Sequence, residues 1–241
     1  MKYELQYRLY SERAILIEWP AEIDEGILED VLNFKNKILK SKGKVIIEVT
    51  SAYNSLLVFY AKAIENVYDE VLMLKELYFS GLKCKSNKKK IWYLPVCYSV
   101  EIAQDLRDFS EQKSLTIDAV IDLHTKPIYK VFFIGFLPGF LYLGGLDKKL
   151  FLDRKKTPSA HIQKGAVAIG GSQTGIYPTD SPGGWHAIGA CPLDFFNPKT
   201  PECCYISPGD AIKFISIKEN QYNDIKSKVE NKIFHPEFKI L

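Results

Sequence analysis

The chain has 241 residues, of which 46% are hydrophobic and 25% charged, and its formal net charge is +3. This composition is typical of a globular protein with a buried core, and so weak a charge, without an arginine-rich stripe, argues against nucleic-acid binding. No run approaches the ~18 apolar residues of a membrane span. We expect a cytoplasmic protein with no membrane contact.

Cysteine usage and the N-terminal segment agree with that expectation. Five cysteines are scattered without a C-x-x-C pair, and no H-E-x-x-H motif occurs, so we expect free thiols and no metal site. Residues 1–8 alternate charged and apolar side chains and lack the apolar core of a signal peptide.

The first third of the chain predicts a ferredoxin-like α+β domain. Apolar residues recur every three or four positions from Ile23 to Ile38, which predicts a helix over Glu22–Lys40 that Gly43 ends. A second helix covers Ile64–Leu74, closed by Gly81. Four segments predict strands: Tyr3–Leu9, Ala14–Trp19, Val45–Val49 and Ser55–Tyr60. The strand–helix order is ferredoxin-like, with Ile91–Val96 either as the last strand or as a crossing point.

A lysine-rich stretch, residues 83–90, marks a domain boundary or an exposed hairpin loop. We take the domains as 1–88 and 89–241. The lysines at 35, 37, 40, 42 and 44 could bind an anion, but a solvated face with cations at a helix C-terminus is the better interpretation.

The second domain predicts a β-barrel or sandwich. Two short helices, Glu101–Glu111 and Ile117–His124, precede it, the latter with Thr116 as N-cap. Short apolar segments divided by turns then predict strands over Tyr129–Gly135, Ala166–Ile169, Trp185–Ile188, Cys204–Ile206 and Ala211–Ile217.

Glycine, proline and aromatic residues concentrate in the same bends. Twelve of the fifteen glycines and eight of the twelve prolines fall between Gly135 and Gly209. Rigid open backbone beside large rings fits a small-molecule pocket and equally fits the tight corners of a barrel. For a pocket, the predicted substrate-binding residues are Phe136, Pro138, Gly139, Phe140, Tyr142, Gln173, Thr174, Tyr177, Ser181, Gly183, Gly184, Trp185 and His186.

Catalytic motifs are mostly absent. There is no G-x-x-x-x-G-K-[ST] phosphate loop, and residues 170–174 fall short of G-x-S-x-G. His124 is a candidate proton carrier, although a histidine at a helix C-terminus also favours its charged form there. Glu101 and Asp105 are spaced to share one helix face and could orient it, although each alone is more often a surface acid.

Six blocks in the second domain form a recognisable pattern. They are Leu94–Tyr98, Leu123–Thr125, Phe133–Leu146, Gln173–Pro178, Ser181–Trp185 and Pro208–Asp210. In this order they resemble the family that includes the B subunit of the bacterial 5-oxoprolinase, the Kip-type inhibitor of a sporulation histidine kinase, and the allophanate hydrolase subunit 1 domain of urea-degrading enzymes.

The resemblance implies an N-terminal α+β domain and a C-terminal cyclophilin-like β-barrel. It implies an enzyme subunit that opens 5-oxoproline to glutamate with the C and A subunits of the same system, using ATP, alone or with magnesium, as co-substrate and no prosthetic group. A kinase inhibitor and a urea carboxylase or allophanate hydrolase subunit are the alternatives. The family pattern has arginine where this chain has Ser159 and Ala190, so anion binding could move to Arg154, Lys155, Lys156 or Lys164, or the substrate could differ.

Overall fold

The computed structural model describes residues 3–42, 45–82, 84, 88–200 and 202–240. They form two units, Met1–Lys88 and Lys89–Leu241, each with an apolar core of its own. Among the described helices, none is both long and apolar enough to cross a bilayer. All five cysteines are free thiols, and burial raises the pKa of the Cys191 thiol to about 12.

The first unit is an antiparallel four-stranded sheet with two helices. Its strands are β1 (Gln6–Ser11), β2 (Ala14–Glu18), β3 (Ile46–Ser51) and β4 (Ser55–Tyr60), and its helices are α1 (Glu25–Lys42) and α2 (Val67–Phe79). The strand order in the sheet is β1-β2-β4-β3. The outer strand beside β2 comes from the N-terminal hairpin. Ile91–Val96 does not complete this sheet, because that segment belongs to the second unit.

The predicted apolar stripe of α1 is confirmed for Ile27, Val31, Phe34 and Ile38, all of which are buried. Ile23 precedes the helix and is half exposed. Gly43 lies outside the described residues. The helix α2 runs past Leu74 to Phe79, and its N-cap is Asn66, whose side chain accepts hydrogen bonds from two backbone N–H groups.

One predicted surface lysine is buried. Lys37 is only 4% exposed, and its Nζ donates to the carbonyls of Tyr78 at 3.0 Å and Ser80 at 2.7 Å. These carbonyls lie at the C-terminal end of α2, where a helix leaves acceptors without intrahelical partners. The interpretation of this lysine as part of a solvated face is therefore wrong, since it ties α1 to the end of α2.

The second unit is built on a closed ring of seven strands. The ring strands are β5 (Lys90–Cys97), β6 (Tyr129–Ile134), β7 (Leu141–Gly144), β9 (Ala166–Gly170), β10 (Gln173–Ile176), β12 (His186–Ala190) and β13 (Ala211–Ile217). The order around the ring is β5-β13-β6-β7-β10-β9-β12, and Ala190 of β12 pairs back with Cys97 of β5. Within the described part of the ring, the pairing of β5 with β13 is parallel and the others are antiparallel. The α+β class and the barrel predicted from the sequence are confirmed.

Further elements flank the ring. They are α3 (Leu106–Gln112), α4 (Ile117–Thr125), α5 (Glu219–Glu230), the two-stranded ribbon of β8 (Ser159–Ile162) with β11 (Ser181–Gly183), and β14 (Glu237–Ile240), which extends β5. The predicted strand Cys204–Ile206 is wrong, because these residues are irregular. The predicted helix over Glu101–Glu111 begins only at Leu106, so Glu101 and Asp105 do not share a helix face.

Asp210 gives the bend over residues 207–210 a structural role. Its buried carboxylate accepts hydrogen bonds from the backbone N–H of Lys90 at 3.0 Å and of Ser207 at 3.1 Å, and from Trp92 Nε1 at 3.0 Å. A carboxylate that accepts several N–H groups satisfies donors that would otherwise be buried without partners. This bend therefore joins the start of β5 to the start of β13.

Candidate functional site

Four aromatic rings from three segments of the barrel meet in one cluster: Phe140 and Tyr142 at β7, Tyr177 after β10, and Trp185 before β12. Ring centroids lie 4.7 Å apart for Phe140 and Tyr142, 4.9 Å for Phe140 and Tyr177, and 5.6 Å for Phe140 and Trp185. Phe140, Tyr177 and Trp185 are buried, and Tyr142 is partly buried. The predicted convergence of the bends is present, but the rings fill the space between them and leave no slot for a substrate ring.

The cluster lies on the outer surface of the barrel, over a floor of small residues. Ala166, Ala168 and Ala187 belong to the same apolar group as the rings, whereas Val167 and Ile169 of the same strand belong to the barrel core. A Cβ on Gly170 would lie 2.5 Å from Trp185 Nε1, so glycine at this position is what lets the indole approach the strand.

An ion pair joins three elements at the edge of this cluster. Lys155 Nζ donates to both carboxylate oxygens of Asp105 at 2.7 Å and to Ser159 Oγ at 2.8 Å. The backbone N–H of Ala187 donates to Asp105 Oδ2 at 2.7 Å. Asp105, which is only 8% exposed, thus holds the start of α3 against β12 and the loop before β8.

This ion pair lies beside Ser159, the position where the family pattern has arginine. Lys155 lies beside Ser159, but its charge is already matched by Asp105. Lys155 is therefore not the free cation that would replace the missing arginine, and Asp105 holds structure together rather than acting in proton transfer.

A cavity of about 430 Å³ opens beside this ion pair, and we define it as the candidate site. Its floor consists of small residues, and its rim carries polar side chains. The lining residues are Glu101, Ile102, Gln104, His161, Gln163, Lys164, Ala166, Ala187, Gly189 and Ala190. Ala190 is the second position where the family pattern has arginine, and a longer side chain there would occupy part of this cavity.

The rim has one cation and one carboxylate with identified partners. Lys164 Nζ lies 2.5 Å from Asp194 Oδ1, and both side chains are about half exposed. Glu101 is fully exposed, and a hydrogen bond from the Ser99 hydroxyl holds the pKa of its carboxyl below the ordinary value. With the amides of Gln104 and Gln163, this rim can bind a small polar or anionic molecule.

Two rim residues, His161 and Gln163, are absent from the predicted binding residues, whereas Lys164 is one of the four cations to which the sequence lets anion binding move. All three lie on the segment at and just after β8. They reach the cavity because the arm containing β8 folds back over the barrel and pairs with β11. The pairing of β8 with β11 joins only two pairs of residues in an irregular register. The sequences of these strands therefore lack the alternation of apolar and polar residues from which strands are predicted. Glu101 is the one predicted catalytic residue that lies on the rim.

His124 lies in the barrel core, away from the candidate site. It has no exposed surface, Nδ1 is 2.7 Å from Tyr98 Oη, and Nε2 is 2.9 Å from Thr174 Oγ1. The Thr174 hydroxyl donates to the carbonyl of Ala168 at 3.0 Å, so it accepts from Nε2–H, and Tyr98 donates to Nδ1.

Burial lowers the pKa of His124 to about 3, so the ring is neutral. A neutral, fully enclosed imidazole has no route by which to exchange a proton with a substrate. His124 is therefore not a catalytic proton carrier, and its hydrogen bonds join α4 to β10 and to the segment after β5. Thr174, which is hydrogen-bonded to His124 in the barrel core, is likewise a structural residue and not a substrate-binding one.

The remaining predicted substrate-binding residues are dispersed. Phe136 and Pro138 are exposed at the tip of the loop before β7, where Gly139 also lies, and Phe136 has a left-handed φ of 65°. Gln173 is half buried on β10, and His186 is buried, with Nε2–H donating to the carbonyl of Asp153 at 2.9 Å.

The bend before Trp185 is also tightly packed. A Cβ on Gly183 would clash with Tyr177 Oη, whereas one on Gly184 would meet nothing closer than 3.8 Å. Ser181 Oγ is buried and has no hydrogen-bond partner among the described residues. These residues support the aromatic cluster and do not line the candidate site.

No three His, Cys, Asp or Glu side chains of the described part of the chain are grouped closely enough to hold a metal ion.

The family model of the carboxyltransferase domain, subdomain C and D, matches residues 5–206. The 5-oxoprolinase B subunit of Bacillus subtilis is 32% identical over 95% of this chain and 99% of its own length, and that of Haemophilus influenzae is 37% identical over 70% and 79%. A urea amidolyase of Lachancea kluyveri is 24% identical over 95% of this chain and 14% of its own length.

Among solved structures, TTHA0988 is 28% identical with a TM-score of 0.73, over 86% of this chain. This chain spans 40% of that solved chain. The chain therefore belongs to the family that unites the B subunits of 5-oxoprolinases with the carboxyltransferase domain, subdomains C and D.

Proposed function

We propose that this chain is the B subunit of an ATP-dependent 5-oxoprolinase, which opens 5-oxo-L-proline to L-glutamate together with its C and A subunits. The observation that carries the proposal is the relative of that name in Bacillus subtilis, which matches nearly the full length of both chains. The candidate site agrees with it, because its volume and polar rim suit a small molecule that carries a carboxylate and an amide.

The reaction explains why ATP is needed. The lactam carbon of 5-oxoproline is a poor electrophile, and it becomes a good one once the carbonyl oxygen takes the γ-phosphoryl group and ADP leaves. Water then adds to that carbon, and the C–N bond breaks to give an acyl phosphate. A second water releases phosphate and glutamate. Hydrogen-bond donors aimed at the carbonyl oxygen stabilise the charge that develops there.

The rim supplies groups for this substrate. Lys164 exchanges its half-exposed Asp194 partner for the substrate carboxylate, and the Gln163 side chain donates a second hydrogen bond. His161, which is exposed at the same rim, accepts a proton from the attacking water.

The companion subunits complete the site. The cavity lies on the outer surface of the barrel, open on one side, with Phe136 exposed on another loop of the same barrel. The solved relative TTHA0988 carries this fold within a chain of which this protein covers 40%, which supports a companion polypeptide. ATP is the co-substrate, and the sequence contains no phosphate-binding loop of the G-x-x-x-x-G-K-[ST] type for it.

The test is reconstitution. The chain is purified alone and with the C and A subunits, and ATP hydrolysis and glutamate formation are measured with and without 5-oxoproline. We expect both activities to depend on 5-oxoproline and on the presence of all three subunits. A complete complex without glutamate formation would overturn the proposal, as would tight binding to a histidine-kinase dimerisation domain with no turnover.

A second candidate, a subunit of a urea carboxylation system, is favoured by the carboxyltransferase family match and by the urea amidolyase relative. The same preparations supplied with urea, bicarbonate and carboxylated biotin carrier separate the two. Carboxylation of urea, with no effect of 5-oxoproline on ATP hydrolysis, identifies this second function.

A further inference from the structure

A second cavity, of about 380 Å³, shares part of its wall with the candidate site, and we name it the adjoining cavity. Its volume is within the range of about 300–1,000 Å³ that small-molecule sites occupy. The shared wall consists of His161, Gln163 and Lys164. Pro192 and Leu193 are buried and give the cavity an apolar floor. The other lining residues come from the loop before β11, from the segment after β12 and from one face of α5: Asp180, Cys191, Asp194, Tyr222, Lys226, Val229 and Glu230.

The backbone around the adjoining cavity is fixed by a close contact between two segments. The Cys191 N–H donates to the carbonyl of Gly165 at 2.8 Å. A Cβ on Gly165, whose φ is 83°, would clash with the Cys191 carbonyl oxygen, so glycine at this position permits the approach. The Asp180 carboxylate accepts from the Lys164 backbone N–H at 2.7 Å. The segments that carry Lys164 and Asp194 are therefore held beside each other before any ligand binds.

The helix α5 contributes one cation and one carboxylate that are not paired with each other. Lys226 and Glu230 are exposed and lie one helical turn apart on the face that lines the cavity. No ion pair among the described residues includes either of them, and a lysine that precedes its glutamate is the less favourable order for pairing. Asp224 and Lys228, in the favourable order on the same helix, pair at 2.7 Å. Lys226 and Glu230 therefore line the cavity as two separate charges.

The charges of the adjoining cavity select the kind of ligand. Its lysines are Lys164 and Lys226, and its carboxylates are Asp180, Asp194 and Glu230. A triphosphate would be repelled by the carboxylates, and an organic cation would be repelled by the two lysines. A molecule that carries both an ammonium group and carboxylates can pair with charges of both signs. The apolar floor leaves room for a short carbon chain between these groups.

We propose that the adjoining cavity binds an α-amino acid with an acidic side chain, whose ammonium group pairs with Glu230, whose α-carboxylate pairs with Lys226, and whose side-chain carboxylate pairs with Lys164. L-Glutamate has this chemistry, and it is the product of the proposed function. Because Lys164 lines both cavities, glutamate here and 5-oxoproline in the candidate site compete for one cation. This competition rests on the proposed function, whereas the binding site rests on the cavity and its charges alone.

The first test uses the full chain and isothermal titration calorimetry with L-glutamate. Glutarate, which has the two carboxylates but lacks the ammonium group, is the control for charge. We expect L-glutamate to bind, glutarate to bind at least about tenfold more weakly, and Lys226→Met and Glu230→Gln each to weaken L-glutamate binding about five- to tenfold. Lys228→Met is the matched control, because Lys228 lies on the same helix and does not line the cavity. It should keep the wild-type affinity, since an exposed ion pair contributes little to stability.

Three calorimetric outcomes overturn the binding site. They are no heat of binding up to about 50 mM L-glutamate, equal affinity for the wild type, Lys226→Met and Glu230→Gln, and glutarate binding as tight as that of L-glutamate. Far-ultraviolet circular dichroism of the variants should match the wild type, because the substituted side chains are exposed. A loss of binding in a folded variant is therefore a loss of the pairing charge.

The second test uses the complete complex with the C and A subunits. We expect L-glutamate to raise the apparent KM for 5-oxoproline without changing kcat, and Lys226→Met to raise the inhibition constant of L-glutamate about five- to tenfold. Equal inhibition of the wild type and Lys226→Met in a complex that forms glutamate would overturn the competition and leave the proposed function in place. A complete complex that forms no glutamate would overturn the proposed function, and the calorimetry on the chain alone would still decide the binding site.

Discussion

The buried histidine makes acid stability a direct test of the barrel core. His124 in the folded chain has a pKa of about 3, against about 6.5 in an unfolded chain. Above pH 6.5 neither state binds a proton at this residue, so its full contribution to stability is present. Below pH 6.5 only the unfolded chain takes the proton, and the free energy of unfolding falls as the pH falls.

The size of this effect follows from the two pKa values. The slope is about 1.4 kcal/mol per pH unit well below pH 6.5, and it continues until the folded residue titrates near pH 3. Between pH 7.5 and pH 5.5 the loss attributable to His124 is about 1.4 kcal/mol. Carboxylates contribute little in that window, because their ordinary pKa values lie near 4.

The assay is urea unfolding followed by tryptophan fluorescence at pH 7.5, 6.5 and 5.5. The three tryptophans are Trp19, Trp92 and Trp185, so Trp19→Phe leaves emission from the second unit alone. We expect His124→Gln to remove the pH dependence between pH 7.5 and 5.5. Parallel pH profiles for the parent and His124→Gln would show that this histidine does not cause the acid loss.

Tyr98→Phe is the matched control for that experiment. It removes the hydroxyl that donates to His124 Nδ1, so we expect it to cost about 1–2 kcal/mol at every pH while the pH dependence remains. If Tyr98→Phe abolishes the pH dependence as well, the residue that titrates is not His124.

Three further substitutions test the packing. Asp105→Asn leaves the Lys155 charge without its carboxylate and should lower the free energy of unfolding in urea by about 3 kcal/mol. The double variant Asp105→Asn with Lys155→Met should recover part of that loss. Equal losses for the single and double variants would show that the unpaired lysine charge is not the cause. Gly170→Ala drives a Cβ into an indole ring and should cost about 1–3 kcal/mol, whereas Gly184→Ala should be nearly neutral, and similar melting temperatures would be the opposite result. Phe136→Gly relieves a left-handed φ at an exposed position and should raise stability by about 1 kcal/mol. A loss of stability would show that the edge-on contact of the Phe136 ring with Phe140, at 5.7 Å, outweighs the backbone strain.

Regular elements could be predicted from the sequence because their signal is local. The strands Ser55–Tyr60 and Ala211–Ile217 have the predicted bounds, and α4 starts where Thr116 predicts its cap. The segment Cys204–Ile206 could not be predicted correctly, because its apolar residues pack into the core from an irregular loop. Burial and not strand pairing explains its composition.

The site is less predictable because it depends on contacts between distant segments. Glu101 and Lys164 could be named as candidates from the sequence, but His161 and Lys164 reach the rim only because β8 folds back onto β11. Trp185 and His124 are residue types that often act in functional sites, but both are buried here. The residues that bury them are distant in the sequence, so no local pattern could predict this. The aromatic bends support the site and do not form its walls.

The proposed function requires that the cavity between Glu101 and Ala190 holds 5-oxoproline in the assembled enzyme. This is measured as the KM for 5-oxoproline of the complete complex carrying Ala190→Leu, beside Ala160→Leu as an exposed control on β8. We expect Ala190→Leu to raise KM at least tenfold, because its side chain takes up substrate space, while Ala160→Leu leaves KM unchanged. An unchanged KM for Ala190→Leu in a folded, active complex would place the substrate elsewhere.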